Sequence, residues 1–429
     1  MAIIYICLKY HLMNKDVLVS VIFDQRGARI SPSDVLRWDH KEDKNNEIII
    51  LSGVRRCGKS TLMHEIRSKN TENDYYINFD DERLLNFSVQ DFQLLYEVFI
   101  EYFGNQKTFY FDEIQNIKGW ERFVRRLHDN GNKVFITGSN ASMLSRELGT
   151  HLTGRYFQFE LYPFSFYEFL QLKGRNINKQ DFITTAGKSE LKRFFNEYFT
   201  LGGFPAYLKN ENKQYLKSLY ESIIYRDVLV RNGLTNEREM MELIYYLASN
   251  ISKPASYNSL SKVIDVKNAT TVKNYLDFIQ NTYLLFLVNM YSTSLKQQLY
   301  NPKKVYFIDI VLSGELGFHH TGDNGRLLEN IVFLELKRQA KEIYYHRQKK
   351  ECDFVIRKKA KIVEAIQVTW SISDHVTRMR ETDGIKEAMD LYGLNEGLIL
   401  TDSEEEVIRT EDKTIYVRPV WKWLLESKV

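Results

Sequence analysis

At 429 residues, the chain is long for a single core, so two or three domains are expected; 59 Lys and Arg against 56 Asp and Glu leave a net charge of +3, which excludes a globally basic nucleic-acid binder. Its 44% hydrophobic and 27% charged content is that of a folded globular protein, and only six prolines and 21 glycines argue against long unstructured linkers. Three cysteines (Cys7, Cys57 and Cys352) have no metal-ligand spacing, which excludes a disulfide framework and fits a reducing, cytoplasmic compartment.

Met1–Leu12 is apolar but lacks the charged start and small-residue cleavage site of a secretory leader. No segment reaches the roughly 20 apolar residues that span a membrane, so no membrane partner is expected. Met13-Asn14-Lys15-Asp16 reads as the better natural start. Residues 1–44 read as an N-terminal arm, in which Val21–Arg26 leads into the polar stretch Asp39–Asn46, and such an arm is expected to pack by a nucleotide base.

Residues 45–160 alternate strands with helices, the pattern of a parallel sheet covered on both faces. Ile48–Leu51 reads as a buried strand, Gly53–Ser60 as a G-x-x-x-x-G-K-S loop, and Thr61–Ile66 as the start of a helix. Glycines let such a backbone wrap phosphates, and a helix N-terminus adds donors and a positive dipole end. Gly53, Arg55, Arg56, Cys57, Gly58, Lys59, Ser60 and Thr61 are therefore the expected phosphate-binding residues. Lys59 is assigned to the β- and γ-phosphates and the Ser60 hydroxyl to Mg²⁺. Tyr75–Asp80 is a further strand with an acidic end.

Thr108–Phe111 are four β-prone residues that run into Asp112 and Glu113. At the carboxyl end of a buried strand, Asp112 would meet the Mg²⁺ shell and Glu113 would orient or deprotonate a water. Lys133–Asn140 is another strand ending in polar residues, with Ser139 or Asn140 placed to sense a γ-phosphate or hold the lytic water. Arg155, after Gly154, is the candidate arginine finger, in its own subunit or a neighbour. The catalytic set is thus Lys59, Glu113, Asn140 and Arg155, with Ser60 and Asp112 as metal ligands.

Residues 161–235 are aromatic-rich and helical, a lid, with Arg226 and Asp227 near its end as a candidate ion pair. Residues 236–292 read as a winged helix. Asn268 is a plausible N-cap, and Val272, Tyr275, Leu276 and Ile279 form one buried face. The opposite face carries Thr271, Lys273, Asn274 and Asp277, so protein packing is weighed equally with DNA binding there.

Residues 293–429 read as a separate α/β unit. A helix carboxylate, Glu329, followed by a strand aspartate, Asp353, resembles the start of a metal-dependent nuclease site. The third position departs from that pattern: it reads Gln367-Val368-Thr369, where an acid and a lysine are needed. Glu364 would face away from Gln367, because strand side chains alternate. The expectation is a degenerate site of Glu329, Asp353 and Gln367. Residues 337–361 carry ten Lys or Arg against three Asp or Glu, the one local positive field. Asp402 and Glu404–Glu406 read as a solvated acidic loop.

The loop Gly53–Ser60, the strand end Asp112–Gln115, Ile136–Asn140 and Leu152–Arg155 resemble a family of prokaryotic AAA-type P-loop ATPases. The resemblance continues through Leu161–Phe169, Gly202–Pro205, Tyr225–Asp227 and Lys304–Asp309, and so covers nearly the whole chain. It implies an α/β protein: a P-loop AAA-like parallel-sheet core, a helical lid, a winged-helix segment and a C-terminal domain similar to restriction-endonuclease-like PD-(D/E)xK nucleases. It implies ATP rather than GTP, with Mg²⁺, and hydrolysis that drives conformational change in the C-terminal domains. The competing expectations are an ATP-switched DNA-binding protein or nuclease, and a non-catalytic regulator that binds a protein partner. A homo-oligomer is compatible with each.

Overall fold

Five short strands organise the first part of the chain; all but the last, an edge strand with half-exposed side chains, are almost wholly buried. They are β1 (Ile48–Ser52), β2 (Tyr76–Asn78), β3 (Thr108–Asp112), β4 (Lys133–Gly138) and β5 (Tyr156–Glu160). In the computed structural model they pair in the order β2-β3-β4-β1-β5, every neighbour parallel. Such a sheet is covered on both faces, so its strands read as unbroken apolar runs such as Ile48-Ile49-Ile50-Leu51. The model describes residues 13–27, 35, 37, 47–141, 152, 154–317, 323–410 and 412–428. Cys7, the apolar start Met1–Leu12 and the polar stretch Asp39–Asn46 lie outside them.

Helices α1 (Lys15–Gly27), α2 (Lys59–Ser68), α3 (Phe92–Phe103) and α4 (Trp120–Asp129) accompany this sheet. The expected arm is thus helical over 15–27, and Leu18, Val21 and Ile22 enter the same core as Tyr75, Phe99 and Trp120. Gln25 locks it to the sheet, donating to the Asn78 carbonyl at 3.0 Å and accepting from the Asn78 N–H at 2.7 Å. This helix therefore packs by β2, the edge strand furthest from β1 on that side of the sheet. Arg37 is the described part of the arm that comes near the loop after β1: its Nη1 lies 3.5 Å from where a Cβ on Gly58 would stand.

His64, on α2, packs its ring 4.8 Å from Tyr76. Burial, with the nearby Arg67 guanidinium, pushes its pKa down to about 4. An unfolded histidine titrates near 6.5, so the unfolded chain binds the extra proton between those values. His64's contribution is therefore full above about pH 6.5 and is lost as pH falls through about 4. We expect His64→Phe to remove up to ~2 kcal/mol of acid sensitivity, read as the wild-type-minus-variant difference in urea midpoint between about pH 7.5 and about pH 4.5. A wild-type and variant that lose stability in parallel would sink this expectation.

The chain divides into two compact units, the second comprising Val54–Cys57 and Tyr162–Val429. In the second unit, α5 (Phe166–Leu172), α6 (Thr185–Leu201), α7 (Pro205–Asn210) and α8 (Lys213–Glu221) lead into a nine-residue π-helix, Ser222–Val230. Next come α9 (Glu237–Ser249), β6 (Pro254–Ala255), α10 (Tyr257–Val263), α11 (Ala269–Asn281), β7 (Leu285–Asn289), α12 (Leu295–Tyr300) and β8 (Lys303–Phe307). The strands form an antiparallel sheet in the order β6-β8-β7. Its middle strand is the last in sequence, so the sheet runs past residue 292. Asn268 caps α11 by accepting from the Thr270 N–H at 2.8 Å, and Val272, Tyr275, Leu276 and Ile279 are its buried face.

Helix α13 (Ile310–Leu316) and helix α14 (Asn324–Arg338) precede a six-stranded mixed sheet. Its strands are β9 (Glu342–Arg347), β10 (Glu351–Lys358), β11 (Lys361–Val368), β12 (Glu396–Thr401), β13 (Glu406–Arg409) and β14 (Thr414–Pro419), in the order β13-β14-β12-β11-β10-β9. β9, β10 and β11 are antiparallel neighbours, whereas β11-β12 and β12-β14 are parallel. Helix α15 (His375–Tyr392) follows β11 and buries Ile385, Ala388 and Met389 against the sheet; α16 (Val420–Glu426) ends the chain. Among the described residues no helix is long and apolar enough to cross a membrane.

Two charge runs behave differently from their sequence reading. Glu404 accepts hydrogen bonds from Ser371 and the Ile372 N–H, Asp402 pairs with Lys192 at 3.1 Å, Glu405 meets Lys422 and Glu406 meets Arg378. The acidic run is thus a set of ties rather than a solvated loop. In the basic run, Arg338, Lys341, Arg347, Lys350 and Arg357 each pair with a carboxylate, which weakens the local positive field.

Candidate functional site

The first site is built at the carboxyl ends of β1, β3 and β4. After Ser52 the chain turns through Gly53 (φ 144°), Arg56 (φ 64°) and Gly58 (φ 104°). Both glycines hold conformations that side-chain-bearing residues rarely adopt. Gly58 is the N-cap of α2 and provides no side-chain cap, so the first N–H groups of that helix have no side-chain oxygen from the cap residue. A helix start of this kind suits an anion.

Lys59 is 4% exposed, and its Nζ donates to the Gly53 carbonyl at 3.1 Å and lies 3.9 Å from Glu113 Oε1. Ser60 Oγ donates to Asp112 Oδ1 at 3.1 Å, which brings the two residues assigned to a metal into contact. Asp112 is fully buried. It also accepts from Thr137 Oγ1 and, at 3.3 Å, from the Tyr76 hydroxyl. Burial and the neighbouring Glu113 carboxylate push its pKa up to about 6, against the hydrogen bonds from Thr137 and Ser60.

Glu113 stands at φ 52°, a left-handed conformation for a non-glycine residue. Such strain persists only where the surroundings impose it. Its N–H donates to Thr137 Oγ1 at 2.9 Å, and its Oε2 accepts from Gln115 Nε2 and from Ser139 Oγ at 3.3 Å. Thr137 thus bridges Asp112 and the Glu113 backbone, a role that sequence reading missed. The available signal was a fully buried threonine in an otherwise apolar strand. Asn140, 5% exposed, directly follows Ser139 at the end of β4.

Arg155 does not join this group. It precedes β5, its carbonyl accepts from the Ile48 N–H at 2.8 Å, and its Nε donates to Asp129 at 3.1 Å. β5 runs parallel to β1 with Tyr156 opposite Ile48, so Arg155 sits at the amino edge of the sheet and the loop at the carboxyl edge. Four or five residues at ~3.3 Å each separate the two edges, so of the two placements left open for Arg155, its own loop lies out of reach.

The loop tip Val54–Cys57 has partners of its own. Arg55 Nε and Nη2 donate to Asp227 at 2.8 and 3.1 Å, and Arg231 approaches the same carboxylate at 3.5 Å. Asp227 takes these partners rather than the Arg226 expected of it, because adjacent residues on a helix do not face each other; its side chain is 1% exposed while Arg226 is exposed. Arg56 lies over the Tyr215 ring at 5.4 Å. Cys57 is a buried free thiol.

A second site gathers the residues expected for a degenerate nuclease. Glu329 on α14, Asp353 on β10 and Gln367 on β11 do converge, all nearly buried. Gln367 Oε1 accepts from the Asp353 N–H at 3.1 Å, and its Nε2 donates to Glu381 Oε2 at 2.6 Å. Glu364 is on the other face and pairs with Lys341. The residue that sequence reading missed is Lys304 on β8. Its Nζ lies 3.1 Å from Glu329, 2.8 Å from Glu351 and 2.7 Å from Asp353. Burial opposes its charge, but Asp353 and Glu329 outweigh it and hold the lysine well above its ordinary pKa. Burial and the Asp353 charge raise Glu329 to about 8. Glu329, Glu351, Asp353, Gln367 and Glu381 line a cavity of about 820 Å³, together with Arg326, Arg347 and Arg380.

A family model described as AAA domain matches residues 45–170. Two others, described as domains of unknown function (DUF8612 and DUF4143), match residues 192–319 and 324–423. The chain is 36% identical over 400 residues to the uncharacterized protein MJ1544 of Methanocaldococcus jannaschii, covering 89% of this chain and 88% of that one. An uncharacterized protein of Haemophilus influenzae is 31% identical over 421 residues, covering 93% and 99%. Among solved structures, RuvB of Thermotoga maritima aligns with 63% of this chain and 87% of its own at 16% identity and a TM-score of 0.24. McrB AAA+ hexamers with bound McrC from Thermococcus gammatolerans align over 63% and 80% at 9% identity and a TM-score of 0.22. The chain thus belongs to the family of these M. jannaschii and H. influenzae proteins, with an AAA domain followed by two regions matched by models of unknown function.

Proposed function

We propose that this protein is an ATPase that uses a Mg²⁺–ATP cycle to change the conformation of its C-terminal domains. The observation that carries this reading is the convergence of Lys59, Ser60, Asp112 and Glu113 on one edge of the sheet, with Ser60 Oγ 3.1 Å from Asp112. The residues fit the group: glycine geometry and an uncapped helix start suit phosphate, and Ser60 with Asp112 would hold Mg²⁺. When bound, Mg²⁺ would neutralise charge on the phosphate oxygens. Lys59 would bind the β- and γ-phosphates. Glu113, positioned by Ser139 and Gln115, would orient the attacking water and accept its proton, with Asn140 beside it. The Arg55–Asp227 pair would carry a change at the loop tip to the π-helix.

Arg155, held by Asp129 at the amino edge, would act at a phosphate only in a neighbouring subunit of a homo-oligomer. The test is phosphate release from ATP by the purified protein, with and without duplex DNA. Lys59→Ala is expected to abolish turnover, and Arg155→Ala to lower it only where the protein assembles. Turnover by Lys59→Ala at the wild-type rate would remove the assignment.

A second reading, DNA binding gated by ATP, is favoured by one observation. The order α9-β6-α10-α11-β7-α12-β8 with β8 central is compatible with a winged helix, and the order α14-β9-β10-β11-α15-β12 with a nuclease-like domain. Turnover that rises with DNA and falls as salt is added supports it. Indifference to DNA, with a protein that co-purifies in fixed ratio, supports the protein-binding alternative.

A further inference from the structure

The carboxylate cluster of the C-terminal domain holds a cation of its own. Lys304 Nζ has three N–H donors, and three carboxylates surround it: Glu329 at 3.1 Å, Glu351 at 2.8 Å and Asp353 at 2.7 Å. The side chain is 2% exposed, and its Nζ donates to Glu329 Oε1 and Asp353 Oδ1. Lys304 comes from β8, pinned on both sides, opposite Pro254 on β6 and Val288 on β7. Other donors meet the same carboxylates. Tyr306 donates to Glu329 Oε1 at 2.6 Å, and the Val368 N–H donates to Asp353 Oδ2 at 2.9 Å. Gln367 completes the ring with a neutral amide.

Two roles compete for such a lysine. One that assists an attacking water needs to face that water, whereas Lys304 is 2% exposed, bonded to Glu329 and Asp353 and paired with Glu351. One that replaces a metal needs only to sit among the oxygens. A divalent cation held between Glu329 Oε1 and Asp353 Oδ1 would stand about 2.1 Å from each, where the ammonium already stands. Two cations cannot share that space without large repulsion.

We infer that Lys304 is a tethered counter-ion that occupies the metal position of this cluster, so that the nuclease-like domain neither binds a divalent cation there nor cuts phosphodiesters. The absence of the motif lysine at Thr369 follows from the same arrangement: with no metal-bound water to assist, that charge has no task. Arg326, Arg347 and Arg380, which also line the cavity, pair with Asp323, Glu351 and Glu381.

The test is Mn²⁺ binding to the nucleotide-free full chain, followed by electron paramagnetic resonance of the free ion. Wild type and Asp353→Asn should bind the same number of Mn²⁺ ions, since this cluster takes none. Lys304→Gln should gain about one site per chain, lost again in Lys304→Gln with Asp353→Asn. A Mn²⁺ ion bound by wild type and lost in Asp353→Asn overturns the inference, and that comparison stands even where Lys304→Gln fails to fold. Mn²⁺-dependent DNA cleavage by wild type that disappears in Asp353→Ala overturns it equally. A folded Lys304→Gln that gains no site overturns the competition between lysine and metal.

Discussion

Glu113→Gln is expected to lower ATP turnover by a factor of ~10²–10⁴ while leaving nucleotide affinity within a few-fold of wild type. The substitution keeps the side chain's shape, and the Glu113 N–H bond to Thr137 involves only the backbone. Oε2 would still accept from Ser139 if the amide oxygen faces it. What is lost is the negative charge that orients water and takes its proton. Lys59, 3.9 Å away, keeps its bond to the Gly53 carbonyl and its reach to phosphate. The variant should therefore accumulate bound ATP, whereas Lys59→Ala should fail to bind it. A rapid-quench measurement of chemistry beside a fluorescent-nucleotide titration separates the two. If Glu113→Gln turns over normally, the water-positioning role belongs elsewhere, with Ser139 or Asn140 the next residues to change.

The loop and its strand were legible because their chemistry is local. Gly53, Gly58, Lys59 and Ser60 lie within eight residues, and a buried apolar run ending in Asp112-Glu113 states its own direction. Periodicity also sufficed for α11, whose buried face has the residues that spacing predicts. Reading failed where a residue's meaning depends on distant partners. Lys304 opens a strand and looks like an ordinary edge lysine; its carboxylates are 25 to 49 residues later in the chain. Asp227 reads as the partner of adjacent Arg226, yet it pairs with Arg55, 172 residues away, because adjacent residues on a helix do not face each other. The subunit in which Arg155 could act was left open for a related reason. A motif fixes order along the chain, but only the register of β5 on β1 shows that this arginine is at the other edge of the sheet.

Gly202-Gly203 and Asp309 are expected to show the largest stability losses in the second unit. Asp309 is 4% exposed, and its carboxylate accepts from the Gly203 N–H at 2.7 Å, Val311 N–H at 2.9 Å and Leu312 N–H at 3.2 Å. It thus caps α13 and binds the turn between α6 and α7 with one side chain. Burial raises its pKa, against those three backbone donors. Asp309→Ala orphans all three and should cost ~3–5 kcal/mol, more than an exposed cap, because buried N–H groups would then have no acceptor. Asp309→Asn should cost less, since one oxygen can still serve α13 while the amide group opposes Gly203. The glycines leave no room for relief. Gly202 has φ 67°, and a Cβ there would stand 2.5 Å from Asp309 Oδ1. At Gly203 a Cβ would overlap the Phe164 carbonyl oxygen, the same residue whose N–H donates to the Gly203 carbonyl at 2.7 Å. Backbone cannot step aside as a flexible side chain can, so Gly203→Ala should equal or exceed Asp309→Ala, at ~3 kcal/mol or more. Urea melts of the four proteins give the order directly: wild type above Asp309→Asn, then Asp309→Ala and Gly203→Ala together. A Gly203→Ala midpoint equal to wild type would mean that the turn yields, and that Asp309 holds α13 alone.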